Sequence, residues 1–97
     1  MPFLKSEVKL LDIGCGTGHI IQELAARFRK AILVGLDVSP AMLRVASFNN
    51  IKLLNVMLVQ ADGLKLPFSN CAIDVVITRL AEYSREEVYR VLRTGGH

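Results

Sequence analysis

Apolar residues alternate along this chain between short unbroken runs and helically spaced stretches. After a lead-in over residues 1–7, Leu10, Leu11 and Ile13 form a brief run, as expected for a strand covered on both faces. From His19 to about Arg29 the apolar positions Ile20, Ile21, Leu24, Ala25 and Phe28 recur at helical spacing, with Gln22, Glu23 and Arg27 opposite. Ala31 to Leu36 is a second run, too short for a helix and bounded by Lys30 and Asp37. Ser39-Pro40 then marks a helix start, Ser39 as N-cap and Pro40 at the first helical position. Met42, Leu43, Val45 and Ala46 supply that helix's apolar face, and Asn49-Asn50 stops it. Asn55 to Ala61 is a third strand, and Asp62 to Asn70 a loop punctuated by Gly63, Pro67, Ser69 and Asn70. Ile73 to Thr78 is a fourth strand, whose Val75-Val76-Ile77 run predicts burial on both sides. Ser84 and Glu87 match the S-x-x-E capping box and open a last helix through Leu92, ended by Thr94-Gly95-Gly96.

Strand–helix–strand–helix–strand is the pattern of a doubly wound, mostly parallel α/β sheet with helices on both faces. Right-handed crossovers set the first three strands side by side, and the change of direction to the fourth gives the order 3-2-1-4. Such sheets bind ligands in the crevice at the carboxyl ends of their strands. The turn Gly14-Cys15-Gly16-Thr17-Gly18, then Asp37, then Asp62-Gly63 follow the ends of strands one, two and three.

Composition narrows the setting. The 97 residues suit one domain, residues 1–97, and a hydrophobic content of 52% fits a sheet buried on both faces. The net charge is +3, with basic residues scattered apart from Arg27, Arg29 and Lys30. That cluster suits the solvated end of a helix, so no nucleic-acid partner is expected. Two cysteines, Cys15 and Cys71, are too few for a disulfide framework or a metal site, and a reducing compartment follows. No apolar run approaches the ~18 residues of a membrane span, and no signal-peptide pattern opens the chain. The cytoplasm is the location that remains.

Glycine turns of this kind admit a ligand close to the backbone, and the helix beyond aims free N–H groups at it. The spacing here is G-x-G-x-G, with His19 where the dinucleotide fingerprint has its third glycine, which argues against a nicotinamide half-domain. Asp37 stands at the separation expected of a ribose-binding carboxylate, ~20 residues past the glycines; its structural alternative is to cap the strand end or start the Ser39 helix. Asp62 with the Gly63 N–H can read an adenine edge, or Asp62 can be an ordinary turn residue bonded to its own backbone. Together the two carboxylates favour an adenosine ligand. Asp12 sits inside an apolar run and needs a partner, either a ligand amine or N–H groups of the turn. Cys15 reads as a small buried neighbour of the ligand, His19 as a flanking residue and Asp74 as structural. No nucleophile with an evident base appears, so no catalytic residue is assigned.

Val8-Lys9-Leu10-Leu11-Asp12-Ile13-Gly14-Cys15-Gly16-Thr17-Gly18 resembles the glycine motif of class I, Rossmann-like S-adenosylmethionine-dependent methyltransferases. Val34-Gly35-Leu36-Asp37-Val38-Ser39-Pro40-Ala41-Met42-Leu43 is similar to their acidic second motif, and Gln60-Ala61-Asp62-Gly63-Leu64-Lys65-Leu66-Pro67-Phe68 to their third. Ile73 to Arg79 and Glu87 to Gly96 resemble the fourth strand and the helix leading to a fifth, with Thr94 where the family has proline. The resemblance implies S-adenosyl-L-methionine as cofactor. Asp12, Gly14, Cys15, Gly16, Thr17 and Gly18 would face its amino-acid end, Asp37 with Val38 its ribose, Met42 and Asp62-Gly63 its adenine. Thr78 and Arg79 would border the methionine end and a small-molecule acceptor, with Arg79 replacing the small or aromatic residue expected there. The activity implied is in-line methyl transfer. Family members carry helices before strand one and further strands after the last helix, so this chain corresponds to a truncated cofactor core. It would then be either part of an enzyme or a non-catalytic binding module completed by a partner chain. An open fourth-strand edge, prone to self-association or to a partner strand, follows from either.

Overall fold

The computed structural model describes residues 8–96, so the lead-in over residues 1–7 lies outside the described part. In order the elements are β1 (Lys9–Ile13), α1 (His19–Arg27), β2 (Ile32–Asp37), α2 (Pro40–Asn49), β3 (Val56–Gln60), β4 (Val75–Thr78) and α3 (Arg85–Val91). The four strands form one parallel sheet in the order β3-β2-β1-β4, as the connection rules require. Ile13 pairs with Leu36 on one side and Thr78 on the other, so the turn after β1 emerges level with the ends of both neighbours.

Strand alternation divides the core between two faces. Leu10, Leu33 and Val75 pack with Ile21 and Ala25 of α1, and Leu43 of α2 joins the margin of that cluster. Leu11, Ile13, Val34 and Leu36 pack on the other face with Val91 of α3 and Leu66 of the loop after β3. Each fully buried aliphatic side chain contributes ~1.5–3 kcal/mol, which makes the two central strands the stable frame on which the turns are mounted. Among the described residues no helix is long and apolar enough to cross a membrane.

Both serine caps form. Ser39 Oγ accepts from the Met42 N–H, and Ser84 Oγ from the Glu87 N–H, each at 3.2 Å. The capping box at Ser84 is only half made, however. The Ser84 N–H donates to the Gly63 carbonyl at 3.0 Å, so it has no need of the Glu87 carboxylate. Glu87 turns instead to the Leu66 N–H at 2.8 Å and pairs with Arg90 at 2.7 Å, which holds its carboxyl down at about 2. Arg90 also donates to the Leu66 and Phe68 carbonyls, at 2.9 and 2.7 Å, clamping the 66–70 loop to α3.

Two boundaries differ from the periodicity by more than one residue. Helix α1 stops at Arg27 rather than Arg29, where the Asn55 side-chain amide donates to the carbonyls of Ala25, Phe28 and Ala31 within 3.2 Å. Strand β4 begins at Val75 rather than Ile73. Asp74 accepts from the Lys9 N–H at 2.8 Å and forms an ion pair with Arg93, while Ile73 makes an isolated parallel bridge to Leu92. Asp74 is therefore structural. The expected two-sided burial of Val75-Val76-Ile77 is also corrected: Val75 is buried, but Val76 and Ile77 are only half-buried. Among the described residues β4 pairs along its length with β1 alone, leaving its outer edge open.

Candidate functional site

A cleft of about 500 Å³ opens at the carboxyl ends of the strands. Gly14, Asp37, Val38, Asp62, Gly63 and Arg79 line it, each at the end of a strand or within three residues past it. Asp12, Cys15, Gly16, Thr17, Gly18, Met42 and Thr78 are not among its lining residues.

One wall is the glycine turn. Gly14 N–H and Cys15 N–H both donate to the Leu36 carbonyl, at 2.7 and 3.0 Å, which pins the turn to the end of β2. Asp37 completes the fastening: its Oδ2 accepts from the Gly16 N–H and its Oδ1 from the Ser39 N–H, each at 2.9 Å. The structural role weighed for Asp37 is therefore real, and each carboxylate oxygen keeps lone-pair capacity for a ligand donor. Thr17 and Gly18 are tied to the C-terminal end of α2, their carbonyls accepting from the side chains of Asn49 and of the capping Asn50 at 2.9 and 3.3 Å. Thr78 donates its hydroxyl to the Ile13 carbonyl at 3.2 Å. Met42 is exposed on the first turn of α2.

The facing wall was not legible from periodicity. It is the short link between β4 and α3, where Leu80, Ala81 and Glu82 also line the cleft. Ala81 sits so close to Gly14 that a Cβ there would lie 2.5 Å from its own, and Gly14 has a φ of 78°. A Cβ on Gly63 would collide with the Glu82 carbonyl, so this glycine is required by close approach. The brevity of the Thr78–Ser84 interval was the available signal, since a short link must cross directly over the strand ends. Asp62 Oδ1 accepts from the Leu64 N–H at 2.9 Å, an Asx-type turn, while the residue still borders the cleft.

Burial dominates the electrostatics. Asp12 is 2% exposed, and its Oδ2 has no hydrogen-bond partner among the described residues. Desolvation pushes its carboxyl up to about 6; the Arg79 guanidinium opposes this and the Asp37 carboxylate adds to it. Cys15 is buried as well, and burial, then Asp12 and Asp37, push its thiol up to about 12, which leaves it inert as a nucleophile. Among the described residues no group of three metal-ligating side chains occurs.

A parallel 3-2-1-4 sheet whose cleft is built from a glycine turn and two strand-end carboxylates defines a Rossmann-like α/β domain. More particularly, the chain belongs to the methyltransferase domain family, whose model matches residues 10–96. It is 35% identical over 94 residues to malonyl-[acyl-carrier protein] O-methyltransferase 1 of Coxiella burnetii, covering 90% of this chain and 30% of that protein. It is 36% identical over 100 residues to the demethylmenaquinone methyltransferase of Thermus thermophilus, covering 95% of this chain and 46% of that protein. The crystal structure of the YcgJ protein from Bacillus subtilis superposes with a TM-score of 0.80 at 29% identity, covering 92% of this chain and 41% of that one. The chain thus spans less than half the length of these relatives. Membership of this family sets aside the nicotinamide half-domain.

Proposed function

We propose that the cleft binds S-adenosylmethionine and that the chain is the cofactor-binding part of a methyltransferase with a small-molecule acceptor. The observation that carries this is the meeting of Gly14, Asp37, Asp62-Gly63 and Arg79 in one cleft, together with the buried Asp12 Oδ2, which has no hydrogen-bond partner among the described residues. An ammonium is the donor such an oxygen calls for, and the amino-acid end of the cofactor brings one. Asp12 and the backbone of Gly14, Cys15, Gly16, Thr17 and Gly18 would hold that end. Asp37, beside Val38, would accept from the ribose hydroxyls, and Asp62 with the Gly63 N–H would hold the adenine edge. Met42 would cover the adenine from α2, and Thr78 and Arg79 would border the methionine end. When bound, the cofactor supplies a methyl group made electrophilic by its sulfonium. The residues of this chain contribute positioning and exclusion of water, which such a displacement chiefly requires.

Calorimetry with S-adenosylhomocysteine tests the reading. Binding should be measurable, and Asp37→Asn should weaken it by about 10- to 100-fold, as loss of charge-assisted hydrogen bonds does. Absence of binding at millimolar ligand would remove the cofactor from this chain.

A small-molecule acceptor is supported by the relative named for demethylmenaquinone. The open outer edge of β4 supports a second reading, in which a further strand from another copy or a partner chain pairs with it. Light scattering across concentrations tests it, and a strictly monomeric, cooperatively melting chain would count against it. A cytoplasmic setting belongs to the same proposal, motivated by the two free cysteines, and cell fractionation tests it.

A further inference from the structure

The charges of the cleft are unequal. Its lining carries three carboxylates, Asp37, Asp62 and Glu82, and one cation, Arg79. Two of these groups have structural work: Asp37 holds the glycine turn and Asp62 its own turn. Arg79 has none of this kind. Among the described residues the ion pairs are Glu87–Arg90 and Asp74–Arg93, and the Arg79 guanidinium takes part in no hydrogen bond. Five N–H donors in a planar fork therefore stand at the mouth of the cleft, on an exposed residue and without a partner.

Its position is set by register. Thr78 pairs with Ile13 and Ile77 with Asp12, so Arg79 leaves β4 beside the start of the glycine turn, two residues beyond the one that pairs with Asp12. Its charge acts on the Asp12 carboxyl, yet Asp12 Oδ2 has no hydrogen-bond partner among the described residues. A cation and a carboxylate held close but apart match a ligand group that carries both opposite charges. We propose that Arg79 binds the α-carboxylate of the cofactor's amino-acid end, as the cationic half of a zwitterion clamp whose anionic half is Asp12. The inference rests on the cofactor reading above and adds to it a residue that the glycine motif does not supply. A bare anion would meet the Asp37, Asp62 and Glu82 carboxylates; a zwitterion offsets them with its ammonium. The guanidinium can grip the carboxylate in a bidentate pair, a geometry lysine cannot reproduce.

Calorimetry on the full chain with three probes separates the possibilities. S-adenosylhomocysteine carries both charges, its decarboxylated analogue keeps only the amine, and 5′-methylthioadenosine lacks the amino-acid end. Arg79→Gln should weaken S-adenosylhomocysteine by about 10- to 100-fold. It should leave the other two probes within about twofold, a change of less than ~0.5 kcal/mol. Arg79→Lys should recover part of the loss. Asp12→Asn should weaken both amine-bearing probes and spare 5′-methylthioadenosine. Equal losses for all three probes in Arg79→Gln, or none for S-adenosylhomocysteine, would overturn the clamp while leaving the cofactor reading intact. A wild-type chain that binds none of the three would overturn both.

Discussion

The two walls of the cleft are fastened by different means. On the glycine-turn side, Leu36, Asp37, Asn49 and Asn50 each accept from or donate to backbone groups of the turn, so its geometry is fixed before any ligand arrives. On the other side the 79–83 link rests on two glycines and is bonded at its end by Ser84 N–H on the Gly63 carbonyl. Leu80, in the middle of that link, is wholly exposed with a φ of 60°. The contrast separates two kinds of wall: the bonded wall is pre-organised by hydrogen bonds, and the packed wall, which carries Arg79, is held mainly by close approach.

Substitutions can break that contrast in graded steps. The largest effect is expected at Gly63, where a methyl group meets the Glu82 backbone. Gly63→Ala should cost ~1–3 kcal/mol, lowering Tm by about 5–20 °C in a domain of this size. Thermal denaturation checks this, and an unchanged Tm would mean that the link is not seated on Gly63.

The next effect tests the buried carboxylate beneath the bonded wall. The Asp12 carboxyl rises from 3.8 to about 6 on folding, so between these values the native state binds more protons than the unfolded chain. Stability therefore falls as pH rises through that window. Asp12→Asn removes the effect, and its gain over wild type should grow from pH 4 to pH 6 and level off above. Discounted for residual solvent screening, the gain is ~1 kcal/mol, or a Tm about 4–8 °C higher at pH 7.5. Melting curves across this range decide it, and a gain that is larger in acid would invert the argument. The same titration should weaken ammonium-bearing ligands below pH 6, when the carboxylate is neutralised.

The smallest effect sharpens the description of the packed wall. Leucine is strained in the left-handed region, which asparagine tolerates better. Leu80→Asn should therefore raise stability by about 0.5 kcal/mol, a Tm increase of ~2–4 °C. Differential scanning calorimetry is precise enough to detect it; a lower Tm would show that Leu80 is held by contacts and not merely exposed.

Much of the frame was readable because local pattern and global fold agree in it. The apolar runs at Leu10–Ile13 and Ala31–Leu36, the serine caps and the strand order all follow from period, capping chemistry and crossover handedness. For the cleft, Asp37 and Asp62 were placed at the right strand ends, but their bonds to Gly16, Ser39 and Leu64 depend on backbone geometry that spacing does not specify. Ala81 and Glu82 escaped because the link has no periodicity, and its partners, Gly14 and Gly63, are distant in sequence. The Glu87 carboxylate was misassigned for a related reason: Gly63, far from it in sequence, had already satisfied the Ser84 N–H.

The two cysteines give the molecule a chemical clock. Cys71 lies exposed on the surface, while Cys15 is packed under the turn with its thiol pushed up to about 12. An alkylating reagent at neutral pH should therefore mark Cys71 at once and reach Cys15 only when the turn lifts off the end of β2. The slower labelling rate reports how often that happens, and a ligand that seals the cleft should lengthen the interval without touching either sulfur.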